Sequence, residues 1–308
     1  MKKYEELIFL KSLRGYGNSK ILKLYKDQLI NISGVLECAN LVRSTDHSIS
    51  ETEIELAIQK TEDTLSIVRQ DPSISILTLF DDTFPAQLKL LKNQMPLVLF
   101  ARGDIDLLQK PNLAVIGTRK PSDWSRGVGY KMVIKTIEIS ERVIVSGLAL
   151  GCDTVGHMAA VENNGKTIAV LPSGLNVITP ASNRNLSERI LNTGGCIISE
   201  YLPMEKVQRA TYAKRDEIIA ALSDATFIIE CGIKSGTMIT AKAAYRMGKK
   251  IGCYIAPKEK GAYEGNAYLI KDYSAMPVTD TPELIAFLDS LNTEPKQEKY
   301  EQISLFDS

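Results

Sequence analysis

Four short loops carry most of the residues with chemical reach in this sequence. The first is Ile116-Gly117-Thr118-Arg119-Lys120-Pro121-Ser122. Gly117 lets a backbone approach a ligand closely, and Arg119 and Lys120 supply charge-assisted donors, a combination suited to phosphate. The second runs from Ser146-Gly147 through Gly151, Asp153 and His157. Its glycines mark a strand-to-helix turn. Asp153 and His157 stand four apart on one helix face, a spacing that serves either acid–base chemistry or a local structural pair. The third, Leu171-Pro172-Ser173-Gly174-Leu175 continuing to Pro180-Ala181-Ser182-Asn183, holds no charge that acts chemically. The fourth is Glu230-Cys231-Gly232-Ile233-Lys234-Ser235-Gly236-Thr237. Lys234, with the amides of Ser235, Gly236 and Thr237 at a helix start, makes an anion pocket.

The motifs of common catalysts are missing. No G-x-G-x-x-G follows the first α/β strand, and no G-x-x-x-x-G-K-[ST] or G-x-S-x-G occurs, which argues against hydride transfer, phosphoryl transfer and an esterase. His47 and His157 are the only histidines, and Cys38, Cys152, Cys196, Cys231 and Cys253 include no C-x-x-C pair. No metal or other cofactor is therefore expected, and the cysteines read as reduced core thiols of a cytoplasmic protein.

The 37 basic and 37 acidic residues give zero formal charge, so nucleic-acid binding would rest on a local basic cluster. With 44% hydrophobic and 24% charged residues in 308, the chain is globular and long enough for one large or two modest domains. No apolar run approaches about 18 residues, so no membrane span is expected.

The elements that must position the loops follow from periodicity. Residues 1–70 read as a small all-helical domain, with Leu7, Ile8 and Leu10, then Ile21, Leu22 and Leu24, then Ile54, Leu56 and Ile58 as its apolar positions. Within it, Leu13-Arg14-Gly15-Tyr16-Gly17-Asn18-Ser19-Lys20-Ile21 has the form of a helix-hairpin-helix turn, of the SAM-like type. Such a turn offers amides, Arg14, Lys20 and Lys23 to a phosphate, or serves as a plain packing corner. Residues 71–291 alternate short apolar strands with helices, which predicts an α/β, extended Rossmann-like, doubly wound and mostly parallel sheet. Ligands on such a sheet bind beyond the carboxyl ends of the strands, where all four loops fall. Residues 292–308 read as a flexible C-terminal tail.

Gly117-Thr118-Arg119, Ser146-Gly147-Leu148-Ala149 with Gly151, Asp153 and His157, Ala169-Val170-Leu171 with Gly174-Leu175, Ser199-Glu200-Tyr201, and Lys234-Ser235-Gly236-Thr237 with Thr240-Ala241 resemble the DNA-processing protein A family (DprA/Smf). The resemblance spans residues 75–290. It implies a cytoplasmic, non-enzymatic, homodimeric protein that binds single-stranded DNA. Such a protein protects incoming strands in natural transformation and loads the RecA recombinase in DNA recombination. By motif, Arg119 and Lys234 would contact phosphates, and Gly117, Thr118, Ser146, Gly147, Ser235, Gly236 and Thr237 would line the anion pocket, with Lys120 and Arg215 adding charge. The chain departs from the family's aromatic-proline-x-Arg-Asn-Arg run. Thr211-Tyr212-Ala213-Lys214-Arg215-Asp216-Glu217 keeps Arg215 but follows it with two acids, an expected source of repulsion that Lys214 would partly offset. The winged-helix-like C-terminal domain that many members carry is not expected here, as in the shorter members without it.

Alternatives accompany this reading. The same pocket would suit a nucleotide-binding sensor or a phosphoribohydrolase-like enzyme with Glu230 as its acid. Trp124, Tyr201 and Tyr212 would either stack bases or pack at edges. Gln302-Ile303-Ser304-Leu305-Phe306 resembles a sliding-clamp-binding peptide, with Gln302, Leu305 and Phe306 as its anchors, and reads equally as an ordinary terminus.

Overall fold

The structure is a computed structural model and describes residues 3–27, 32–256 and 263–292. In chain order it runs α1 (Tyr4–Ser12), α2 (Asn18–Asp27), α3 (Val35–Thr45), α4 (Glu51–Gln70), β1 (Ile74–Thr78), β2 (Val98–Gly103) and β3 (Asn112–Ile116). Then come α5 (Asp123–Ser140), β4 (Val143–Ser146), α6 (Cys152–Glu162), β5 (Thr167–Val170), α7 (Arg184–Asn192), β6 (Cys196–Ser199) and α8 (Arg209–Leu222). The series closes with β7 (Ala225–Ile228), α9 (Thr237–Arg246), β8 (Lys250–Tyr254), α10 (Glu264–Asp272), β9 (Met276–Val278) and α11 (Thr281–Ser290).

The nine strands form one sheet in the order β1-β2-β6-β5-β4-β3-β7-β8-β9. β1 and β2 pair antiparallel with each other and β2 with β6, while every other pair is parallel. Strands β3 to β7 are buried along their whole length, as helices on both faces require. In β3, Leu113 and Val115 enter one apolar cluster with Met132, Ile144, Phe227 and Phe287, while Ala114 and Ile116 enter the other. The period-2 alternation of the strand thus feeds both layers. Chain progression reverses at β3, with β4, β5 and β6 laid to one side and β7, β8 and β9 to the other. This is the switch point at which doubly wound sheets open a crevice.

The four N-terminal helices share the second cluster with the sheet, through Leu7, Ile8, Phe9 and Leu10 of α1, which also touches β1 and β2. Helix α4 opens on a capping box. The Ser50 hydroxyl accepts from the Glu53 amide and the Glu53 carboxylate accepts from the Ser50 amide, satisfying two otherwise orphaned donors. Leu56, counted as apolar-face from the sequence, points outward, whereas Ile54 is buried. The turn at Gly15 is tied into the fold: the Tyr16 hydroxyl donates to Asp46 at 3.1 Å, the Lys20 ammonium pairs with Asp46 at 2.5 Å, and the Asn18 amide donates to the Met95 carbonyl. Lys20 is therefore engaged internally, and Arg14 and Lys23 remain exposed. All five cysteines are buried and unpaired. Among the described residues no helix is long and apolar enough to cross a membrane. Gln302, Leu305 and Phe306 lie outside the described residues.

Candidate functional site

Backbone bonds stitch three of the strand-end loops together around the switch point. Register pairs Ile116 of β3 with Ile228 of β7, and beyond it the Ile229 amide donates to the Ile116 carbonyl and the Thr118 amide to the Glu230 carbonyl at 2.7 Å. The Cys152 amide donates to the Thr118 carbonyl at 3.1 Å. A side chain at Gly117 would stand 2.5 Å from Cys152 Sγ and 2.8 Å from the Glu230 carbonyl. Only glycine permits this convergence.

Between the loops lies a cavity of about 370 Å³, within the roughly 300–1,000 Å³ of ordinary ligand sites. Gly117, Thr118 and Arg119 line it from the β3 loop, Asp153 from α6, Arg215 and Asp216 from α8, and Ser235, Gly236 and Thr237 from the β7 loop and the start of α9. No side chain caps α9 and its first turn holds no acid. The Met238 and Ile239 amides donate back to the Ser235 and Gly236 carbonyls, and the helix start keeps the partial positive charge of its dipole beside the cavity. Arg119, Lys120 and Lys234 are exposed, and no ion pair to a described residue involves them. Lys234 stands in the loop beside the cavity rather than in its wall.

The second loop corrects the expectation. Asp153 Oδ2 accepts from the amides of Gly147 at 3.1 Å and Ala149 at 3.3 Å, so the protein's own carboxylate occupies these donors. The Ser146 hydroxyl is fully buried and donates to the Val115 carbonyl. Asn183, a loop residue that no motif singles out, holds the same segment by donating to the carbonyls of Leu148 and Ala149 and to the Thr154 hydroxyl. Ser146 and Gly147 therefore build the site without facing an incoming anion.

Arg215 is a second correction. It is 3% exposed. Its Nη1 donates to the carbonyls of Gly147 and Val170, and its Nε donates to Asp216 Oδ1 at 2.8 Å. A Cβ on Gly147 would stand 1.7 Å from that Nη1, so the glycine exists to admit the guanidinium. Arg215 positions the loops and is not an open phosphate donor. Its two following acids part ways: Asp216 is its ion-pair partner in the cavity wall, while Glu217 pairs with Arg246 at 3.1 Å. Lys214, expected to compensate, is engaged by buried Glu200 at 2.6 Å.

Burial sets the charge states here. Desolvation pushes Asp153 up, opposed by the Arg215 charge and the loop amides. The same cause raises Asp216 to about 6, against the pull of Arg215 and with the Asp153 charge adding to the rise. His157 is pushed down to about 3 by burial, with the Arg215 charge assisting, and is neutral at physiological pH. Its Nε2 accepts from the Leu148 amide and its Nδ1 faces Thr167 Oγ1 at 2.7 Å, which itself donates to the Ile144 carbonyl. That one-way chain places the proton on Nδ1. Asp153 and His157 are thus separate structural anchors and do not form an acid–base pair. Glu230 likewise is turned to the amide and hydroxyl of Ser122, behind the loop.

A doubly wound, mostly parallel α/β sheet with a cavity at its switch point defines a protein of the Rossmann-like class. The family model for DNA recombination-mediator protein A matches residues 75–289, and the chain belongs to that family. It is 38% identical over 217 residues to the DNA processing protein DprA of Streptococcus pneumoniae, covering 70% of this chain and 73% of that one. With the protein Smf of Escherichia coli the identity is 32% over 217 residues, 70% of this chain and 57% of the relative. The crystal structure of DprA from S. pneumoniae superposes with a TM-score of 0.75 at 31% identity, covering 92% of this chain and 96% of that one. A Helicobacter pylori DNA processing protein A, whose report concerns its single-stranded DNA binding mode, superposes with a TM-score of 0.61 at 27% identity over 71% of this chain and 95% of that one.

Proposed function

We propose that this protein binds single-stranded DNA along the rim formed by the β3 and β7 loops. The observation that carries the reading is the grouping of exposed Arg119 and Lys120 in one loop and Lys234 in the other, with no ion pair to a described residue, around the uncapped start of α9. Cations and helix-end amides hold phosphates without regard to sequence motif, and single strands additionally offer base faces to nearby rings. Gly117, Thr118, Ser235, Gly236 and Thr237 line this contact, and Ser146, Gly147 and Arg215 support it from behind. Bound strands would be shielded from nucleases and handed to the RecA recombinase in transformation or recombination, with the protein acting in the cytoplasm as a homodimer and breaking no covalent bond. The tail anchors Gln302, Leu305 and Phe306 would add a sliding-clamp contact.

Titration of a labelled 40-nucleotide single strand and the matching duplex at low salt tests this. Preferential single-strand binding is expected. Absence of single-strand binding at 50 mM salt overturns the proposal.

A further inference from the structure

Helix α8 carries Tyr212, whose ring faces the Arg119 guanidinium, and Arg215, which ties the loops together. Its other side is held from elsewhere. Lys214 stands two residues from Tyr212, roughly 200° round the helix, and its ammonium pairs with Glu200 Oε2 at 2.6 Å. The Glu200 side chain is fully buried and sits on a fixed post. The Ser199 hydroxyl before it donates to the Ser173 carbonyl at 2.7 Å, and the Tyr201 amide after it donates to Ser199 Oγ at 3.0 Å. Its second oxygen, Oε1, has no hydrogen-bond partner among the described residues. Around the carboxylate stand the Tyr201 hydroxyl, which burial and the Glu200 charge push up, and the Lys11 ammonium from the last turn of α1. Burial pushes Lys11 down against the pull of Glu200, with the Lys214 charge adding to the fall and Glu205 opposing it. None of Lys11, Glu200 and Lys214 lines the cavity.

We propose that Lys11, in the N-terminal helices, is a positioning residue for the DNA rim: with Glu200 and Lys214 it forms a buried charge junction that holds α8, and so Tyr212 against Arg119. The inference rests on the single-strand reading above. One carboxylate shared between an ammonium of α1 and an ammonium of α8 links the helices at the start of the chain to the strand-end loops. Removing Lys11 leaves the buried carboxylate half compensated, and such a group admits water or draws its remaining partner inward. That partner is on α8. Cation–ring attraction requires the charge within about 6 Å of the ring centre, and at 5.1 Å the Arg119–Tyr212 contact has little room to lengthen.

Titration of a labelled single strand at several salt concentrations tests the role in wild type, Lys11→Met, Tyr212→Leu and the double variant. Lys11→Met should weaken binding roughly 2- to 5-fold, the worth of one exposed cation–ring contact. Its salt slope should match the wild type, because no phosphate contact is lost. Beside Tyr212→Leu the same substitution should cost nothing further, as expected of residues that act through one contact. Glu200→Gln keeps an acceptor for Lys214 and should behave as Lys11→Met does, which covers the case in which the lysine variant does not fold. Unchanged affinity in either folded variant overturns the inference. So does a loss that persists in full beside Tyr212→Leu, or a shallower salt slope, which would make Lys11 a direct DNA contact. These results leave single-strand binding standing. Failure of the wild-type protein to bind at 50 mM salt removes the single-strand reading and this inference with it.

Discussion

The Arg119 guanidinium lies 5.1 Å from the centre of the Tyr212 ring, joining the β3 loop to α8 across the mouth of the cavity. An arginine held over a ring face keeps its donors in plane and directed outward, so less freedom is lost when a phosphate arrives. Arg119→Ala should weaken single-strand binding roughly 10-fold, and Arg119→Lys, which keeps the charge but lacks the planar group, should fall between the two. Tyr212→Leu should reproduce part of the loss. Equilibrium titrations of the variants check the order.

Asp216 predicts a pH dependence. Its carboxyl titrates near 6, above the ordinary 3.8, with Arg215, Asp153 and Arg119 as the charged groups facing it. Protonation below 6 removes a negative charge from the cavity, so dT20 affinity should rise by roughly 3-fold or more from pH 7.5 to 5.5, and Asp216→Asn should flatten that rise. Stability follows the same sign. The folded state holds the proton between about pH 4 and 6 where the unfolded chain releases it, so this group's contribution improves as pH falls through that window and is lost as pH rises through 6. Urea midpoints of wild type and Asp216→Asn across pH 4.5–7.5 check it by difference.

His157 is a structural bridge held neutral. His157→Ala leaves the Leu148 amide without an acceptor, removes the donor to Thr167 Oγ1, whose hydroxyl keeps its bond to the Ile144 carbonyl, and opens a void, at a cost of about 2–5 kcal/mol. Chemical denaturation measures the loss. DNA affinity should show no inflection near pH 6.5, as an exposed histidine at the interface would give.

Trp124 is the sole tryptophan, 41% exposed at the start of α5, with its Nε1 donating to the Tyr254 hydroxyl at 3.2 Å. It follows directly on the Arg119-Lys120 loop, where a strand leaving the rim would pass. Single-stranded DNA should quench its fluorescence, and Trp124→Leu should weaken binding about 5-fold or more, the worth of one stacked base.

The fold was legible because hydrophobic runs such as Val143-Ile144-Val145 and Thr167-Ile168-Ala169-Val170 are short, β-branched and separated by helical stretches, which only a parallel sheet accommodates. Strand β9, Met276-Pro277-Val278, was not, since three residues around a proline carry no period. In the site, Gly117, Arg119, Lys234 and the α9 start were legible as backbone and charge at a strand end. Reading Arg215 as an open cation failed because its burial depends on Gly147 and Val170, brought to it from two other places in the chain, and on Asp216 from its own helix turn. Asp153 capping its own loop is equally invisible to spacing. The acids after Arg215 looked like uniform repulsion in sequence, whereas helix geometry turns Asp216 into the cavity and Glu217 toward Arg246.

The salt dependence of single-strand affinity in wild type, Arg119→Ala and Lys234→Ala tests the central claim most directly. If the two loops grip phosphates together, log affinity falls linearly with log salt, and each substitution makes the slope shallower by about 0.7 per lost phosphate contact. Unchanged slopes in both variants would contradict the account, placing the phosphate contacts elsewhere on the molecule.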